Sequence, residues 1–266
     1  MKRTTKLLYL IVVIVLLNII YYLGQWGGQT VLLYVSDILP IICSFIAAVG
    51  LLTAVRSFKE MDFIRVAWLL ILIGIVFDFF AETTYAILEI FLKVDINEVF
   101  PTVADVLWCL GYIPMLVGLA MMFWGYKKSG FPMGQSRIYW AISLSFLILS
   151  SILGYYLLIP IANDPETNML AKVFYFYYPI ADLLVVVPAV ILMYITSLFG
   201  RSLISMPWRM MALGFLLFTI ADMLYSYLGW NDVYGNGNLI DVLWHSGYLF
   251  IGLSGLYQKE LLDSIN

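Results

Sequence analysis

The sequence predicts an all-α integral membrane protein with eight transmembrane helices arranged as two parallel four-helix repeats. Three observations carry that expectation. Hydrophobic residues make up 63% of the chain and charged ones 12%, whereas an ordinary soluble domain has about a quarter of its residues charged. Apolar stretches long enough to cross a bilayer as helices recur eight times. The stretch DVLWCLGY, Asp105 to Tyr112, returns as DVLWHSGY, Asp241 to Tyr248, with its costly carboxylate included.

The spans read at about 7–25, 32–55, 65–92, 101–126, 138–160, 170–199, 208–229 and 239–258. The first follows MKRTTK and has the look of a signal peptide. It has no small-residue cleavage site and is long enough to cross, so it is kept as a span. The second carries Asp37 and Cys43, the third an acidic stripe, and the fourth Cys109 and Pro114. Both cysteines fall inside spans and read as small core residues, not as a disulfide. The sixth span contains Asp182 and Pro188, the seventh Asp222, and the eighth His245, the only histidine.

Charge fixes an expected orientation. With the N-terminus inside, Lys2, Arg3, Lys6, Arg56, Lys59, Arg65, Lys127, Lys128, Arg137, Arg201, Arg209 and Lys259 fall in the cytoplasm, and only Lys93 and Lys172 outside. That is a strong positive-inside bias. It predicts a multi-pass membrane protein with both termini cytoplasmic. Trp68, Trp124, Trp140 and Trp208 fall near inner ends, and Trp26, Trp108, Trp230 and Trp244 near outer ends, the pattern of two interfacial aromatic belts.

The repeat extends beyond its best copy. Shifting by 140 positions sets Trp68, Gly74, Glu82 and Tyr85 on Trp208, Gly214, Asp222 and Tyr225. Shifting by 145 sets Asp37 and Arg56 on Asp182 and Arg201, and shifting by 134 sets Tyr21 and Tyr22 on Tyr155 and Tyr156. The shifts change only across loops, where insertions are tolerated. Residues 1–130 and 131–266 therefore read as two copies of one unit. An even number of spans per copy gives both the same orientation, related by an axis along the membrane normal.

Acidic residues gather toward the outer side. Asp37, Asp105, Asp182 and Asp241 lie on inward-running helices, where an aspartate near the start caps free N–H groups and meets the positive end of the dipole. Glu82 and Asp222 lie on outward-running helices, where the dipole opposes a carboxylate, so capping does not account for them. A charge kept inside a span points to a functional site. Asp78, Glu82, Tyr85 and Glu89 share one helical face. Their counterparts are Phe218, Asp222, Tyr225 and Gly229, so two of the three acids are lost in the second copy. Trp108, Tyr112, Trp244 and Tyr248 serve either as interfacial anchors or, beside carboxylates, as a cation–π surface. His245 reads as packing or hydrogen bonding near Asp241. No metal set, phosphate loop or catalytic triad is evident, and no basic patch for nucleic acid. The candidate ligand-binding set is Asp78, Glu82, Tyr85, Asp105, Trp108, Tyr112, Asp222, Tyr225, Asp241, Trp244, His245 and Tyr248.

The stretches ADMLYSYLGWNDVYGNGNLIDVLWHSGYLFIGLSGLY and PTVADVLWCLGYIPMLVGL resemble the multi-helix membrane sensor regions found ahead of diguanylate cyclase, phosphodiesterase, PAS and histidine-kinase modules in bacteria and archaea. The resemblance rests on Asp222, Tyr225, Asp241, Trp244, Gly247 and Tyr248 and implies a sensory role without naming a ligand. Members continue into a cytoplasmic output module, whereas this sequence ends eight residues after Gln258, so the resemblance implies a separate signalling partner, a homodimer or an excised region. A second likeness, in the G-x-x-x-F-x-x-x-D rhythm of Gly214–Asp222, is to the eight-span lysoplasmalogenases, and would make the acids catalytic. The expectation is a receptor-like protein with an outward acidic and aromatic site for a small molecule or cation, with enzyme activity left open. An intramembrane hydrolase and a proton- or cation-coupled transporter are the alternatives, the latter calling for helices broken at Pro114 or Pro188.

Overall fold

The computed structural model describes residues 3–200 and 202–265. Lys2 and Arg201 lie outside the described residues, as does the pairing of Arg56 with Arg201. The long helices are α1 (Arg3–Gly24), α2 (Gly28–Ser57), α3 (Phe63–Ala86), α5 (Val103–Lys128), α6 (Ser136–Asn163), α7 (Met169–Ser197), α8 (Met206–Trp230) and α9 (Asp241–Ile265). A π-helical turn, Ile87–Phe91, extends α3, and a short α4 (Ile96–Val99) follows it. No strand occurs among the described residues.

The helix boundaries have local causes. The Arg65 amide donates to the Asp62 side chain at 2.7 Å, capping α3. Thr102 and Asp105 form a reciprocal capping box at the start of α5, satisfying amides that the first turn leaves unpaired. Asn168 caps α7 by accepting from the Leu170 amide. Between α1 and α2 the chain turns on Gly27 and Gly28, at φ 97° and 75°, where a side chain would be strained.

Seven of the eight long helices are long and apolar enough to cross a membrane. The eighth, α9, is not among them. The apolar pair Leu239 and Ile240, counted in the eighth span, belongs to the turn before α9. Within the helix His245, Ser246, Ser254 and Gln258 are buried against protein. Helix α9 packs on α1, α2 and α8, so its polar groups are shielded by neighbouring helices. The two chain ends lie at the same end of the bundle, where Thr4 hydrogen-bonds Glu260.

Helices α2, α3, α5, α7, α8 and α9 supply the core. Helix α1 is attached mainly to α9, and α6 to α7 and α8. No residue in the apolar window of α6 is buried, and only Ile161, near its end, is enclosed. Trp68 and Trp208 are fully buried, and their rings pack 5.4 Å apart. The belt assignment of these two therefore fails, because distance along a span does not report which face a side chain takes. Trp26, Trp124 and Trp140 are exposed, as anchors would be.

Small residues let helices approach. A Cβ at Gly74 would lie 2.7 Å from the Gly111 carbonyl oxygen, and one at Gly214 2.8 Å from that of Gly247. These pairs join α3 to α5 and α8 to α9, and they are counterparts in the sequence repeat. Between α2 and α9 the approach is closer still. A Cβ on Gly50 would collide with the Gly252 carbonyl, and one on Gly255 with that of Gly50. Close backbone contact of this kind is a favoured way to join helices in lipid, where apolar burial gives no drive.

Candidate ligand-binding cavity

At the end of the bundle opposite the termini, α2, α3, α5, α7, α8 and α9 surround a cavity of about 110 Å³. A single water needs only about 10–15 Å³, so the space holds several waters or a small organic molecule. All twelve residues singled out from the sequence line it. They are Asp78, Glu82 and Tyr85 on α3, Asp105, Trp108 and Tyr112 on α5, Asp222 and Tyr225 on α8, and Asp241, Trp244, His245 and Tyr248 on α9. Met115, Phe215 and Phe218 give it an apolar floor on the side toward the termini.

The carboxylates are held by phenols and indoles. Tyr248 donates to Glu82 at 2.7 Å, and Trp244 to Asp222 at 2.7 Å. Tyr112 reaches both Asp182, at 2.8 Å, and Asp222, at 3.1 Å. The pattern is crossed: Glu82 from the first half of the chain takes a tyrosine from the second, and Asp222 takes one from the first. Such charge-assisted bonds are stronger than neutral ones, and they leave the carboxylates without a cation. Lysine and arginine are absent from the lining, and His245 is its one basic side chain.

Asp105 is fully occupied. Its carboxylate accepts from the Thr102 amide at 2.6 Å and from Tyr178 at 2.7 Å, which fits the capping role read from sequence. Asp241 accepts from Tyr234 at 2.9 Å. Tyr234 lies in the connection between α8 and α9, and burial together with the Asp241 carboxylate pushes its pKa well above the usual phenol value, so it stays a donor. The Asn18 side-chain amide meets His245 Nδ1 at 3.0 Å; with the amide donating, the imidazole proton sits on Nε2.

Asp37 and Asp182 depart from the capping expectation. Asp37 lies nine residues beyond Gly28 and Asp182 thirteen beyond Met169, or ~14 and ~20 Å along their helices. Neither lies in a first turn, and both are buried. Asp37 lines the cavity, while Asp182 joins Asp222 through Tyr112.

Several lining residues were not legible in sequence. Tyr178, Phe100, Tyr234 and Asn236 complete the walls. Tyr178 has an apolar counterpart, Leu33, so the repeat gave no signal for it, although it stands four residues from Asp182 on the same face. Phe100, Tyr234 and Asn236 come from connections, where helical periodicity says nothing. Across the mouth, Asn236 donates to Glu89 at 2.7 Å, the Gly237 amide to Ser36 at 2.9 Å, and Gln25 to the Gly237 carbonyl at 2.7 Å.

No group of three or more histidine, cysteine or acidic side chains among the described residues is arranged to hold a metal ion. No family model, no curated protein and no solved structure matches the chain.

Proposed function

We propose that the protein is a receptor-like membrane protein that binds a small organic cation in this cavity. The supporting observation is the lining: carboxylates with aromatic rings between them and neither lysine nor arginine among them. Negative charge attracts a cation into the site, and desolvated aromatic faces add cation–π attraction of about 2 kcal/mol. The excess of Lys/Arg at the ends of the helices nearer the termini makes that end cytoplasmic, so the cavity opens outward. We further infer that the two halves are copies of one unit, a reading supported by the matching Gly74–Gly111 and Gly214–Gly247 contacts and by the Trp68–Trp208 pair. Ligand binding would act by favouring one arrangement of these halves over another, passing the change to a cytoplasmic partner.

The test is equilibrium titration of the protein in lipid nanodiscs with n-pentylamine, against n-pentanol as the neutral control. The amine binds and the alcohol does not. Glu82→Gln and Asp222→Asn each weaken amine binding about tenfold, the loss of one charge-assisted hydrogen bond, with the melting temperature unchanged or raised. Absence of amine binding, or full binding by both variants, overturns the reading.

One observation favours a hydrolase as the second reading, namely the pairing of Asp182 with Asp222 through Tyr112. It requires turnover of a lysolipid that Asp182→Asn abolishes. Helices α5 and α7 run unbroken through Pro114 and Pro188, so the broken helices that would have favoured a transporter do not occur there.

A further inference from the structure

We infer that the occupant is a linear diamine, with one ammonium at the mouth among Asp37, Glu89 and Asp241 and the other at the level of Glu82 and Asp222. This rests on the organic-cation reading above and narrows it.

The mouth carries the decisive feature. Asp37 Oδ2 and Asp241 Oδ2 are buried without any hydrogen-bond partner, on residues only 3% exposed that both line the cavity. Glu89 Oε2 is a third such atom, and Asp37 lies beside both Glu89 and Asp241. Buried polar atoms are nearly always satisfied, and an orphan asks for a partner. A proton shared between Asp37 and Glu89 satisfies one of these oxygens, and the others still need a donor. An alkylammonium supplies three N–H donors, one positive charge and no acceptor. The mouth acids are not arranged to hold a metal, and a small charged organic head suits them better.

The deeper level is chemically different. Glu82 and Asp222 already accept hydrogen bonds from Tyr248 and Trp244, which orient them while leaving their charge uncompensated. Glu82 and Glu89 are seven residues apart along α3 and the π-helical turn that extends it, ~10 Å along the axis. Tyr85 stands between them, its ring 5.9 Å from that of Trp108, and on the facing wall Tyr225 packs 5.8 Å from Trp244. The cavity therefore has an anionic level at each end and an aromatic waist. A chain with an ammonium at each end and methylenes between matches all three zones. A monoamine leaves one anionic level empty.

Cadaverine and n-pentylamine share a five-carbon chain and differ by one ammonium, so they isolate the second contact. Titrated into the protein in nanodiscs at neutral pH, cadaverine binds about tenfold or more tightly than n-pentylamine, the worth of a charge-assisted contact. Glu89→Gln and Asp37→Asn each bring cadaverine down to about the level of n-pentylamine, a loss well beyond the one either variant causes in n-pentylamine binding. Equal affinity of the two amines for the unaltered protein overturns the diamine inference alone. So does a Glu89→Gln variant that weakens both amines alike. Binding of neither amine overturns the organic-cation reading with it. Glu89 lies nearer the surface than Asp37, so its variant keeps the test decisive if Asp37→Asn unfolds.

Discussion

Two of the seams between the halves of the chain, α2 against α9 and α5 against α7, are closed by different means. In the first, Gly50, Gly252 and Gly255 bring the two backbones into contact. In the second, the corresponding positions by the repeat are Ile195 for Gly50 and Leu116 for Gly252, and phenols bridge the gap. Tyr112 reaches Asp182, Tyr178 reaches Asp105, and Tyr177 donates to the Cys109 carbonyl at 2.9 Å. A backbone contact has almost no freedom of distance, because interiors are close-packed. A seam of side-chain hydrogen bonds adjusts by rotamer changes. Helix pairs that the sequence repeat sets in correspondence thus differ: α2–α9 is the fixed edge of the bundle and α5–α7 the adaptable one.

Added volume at the fixed edge should have the largest effect. Gly50→Val should cost about 3 kcal/mol through overpacking, despite removing a helix-weakening glycine. Gly125→Ala on α5 is the control, since a Cβ there meets nothing nearer than 3.6 Å. That variant should match or exceed the unaltered protein in thermal unfolding. A Gly50→Val protein that melts normally would mean that α2 and α9 are not locked by their backbones.

At the adaptable seam the effects are smaller and graded. Tyr112→Phe removes the donor shared by Asp182 and Asp222 and should cost about 2 kcal/mol, in the range for hydrogen bonds to charged groups. Tyr178→Phe should cost about 1 kcal/mol, because Asp105 keeps its Thr102 donors. Chemical unfolding in mixed micelles ranks the two; the reverse order would show that the seam is not organised around Asp182 and Asp222.

The smallest effect lies outside the membrane region. Asp164, in the connection between α6 and α7, accepts from the Thr167 hydroxyl, the Trp230 indole and the Glu166 amide, and these lower its pKa from 3.8 to about 2. Because the folded value is depressed, its contribution is complete above pH ~4 and disappears as pH falls through about 2. Trp230 fluorescence should report release of this loop over that window. In Asp164→Asn the acid-dependent step should vanish, and a step that persists assigns the change to another carboxylate.

Most of the scaffold was legible because hydropathy measures what lipid selects. The site was legible because an acid kept within a span is costly, and the repeat flagged Glu82 with Asp222 and Asp105 with Asp241. What escaped was facing. Trp68 and Trp208 were read as belt residues from their position along the chain, yet they meet at the centre of the bundle. Asp37 and Asp182 were read from the nearest helix start, yet they project into polar clusters farther down. Periodicity within one helix names a face; only packing between helices says what that face meets.

Helix α9 also bears on how the protein enters a membrane. Its polarity makes it a poor candidate for partitioning into lipid by itself, since insertion depends on the summed transfer free energy of a segment. Its neighbours α1, α2 and α8 precede it in the chain, and α2 presents the glycine surface against which it fits. Helix α9 is thus best received by a pocket of already inserted helices, as a guest of the protein and not of the bilayer. Insertion and binding then share a step: the walls bearing Asp241, Trp244 and Tyr248 are absent until α9 docks, so the cavity is incomplete until then.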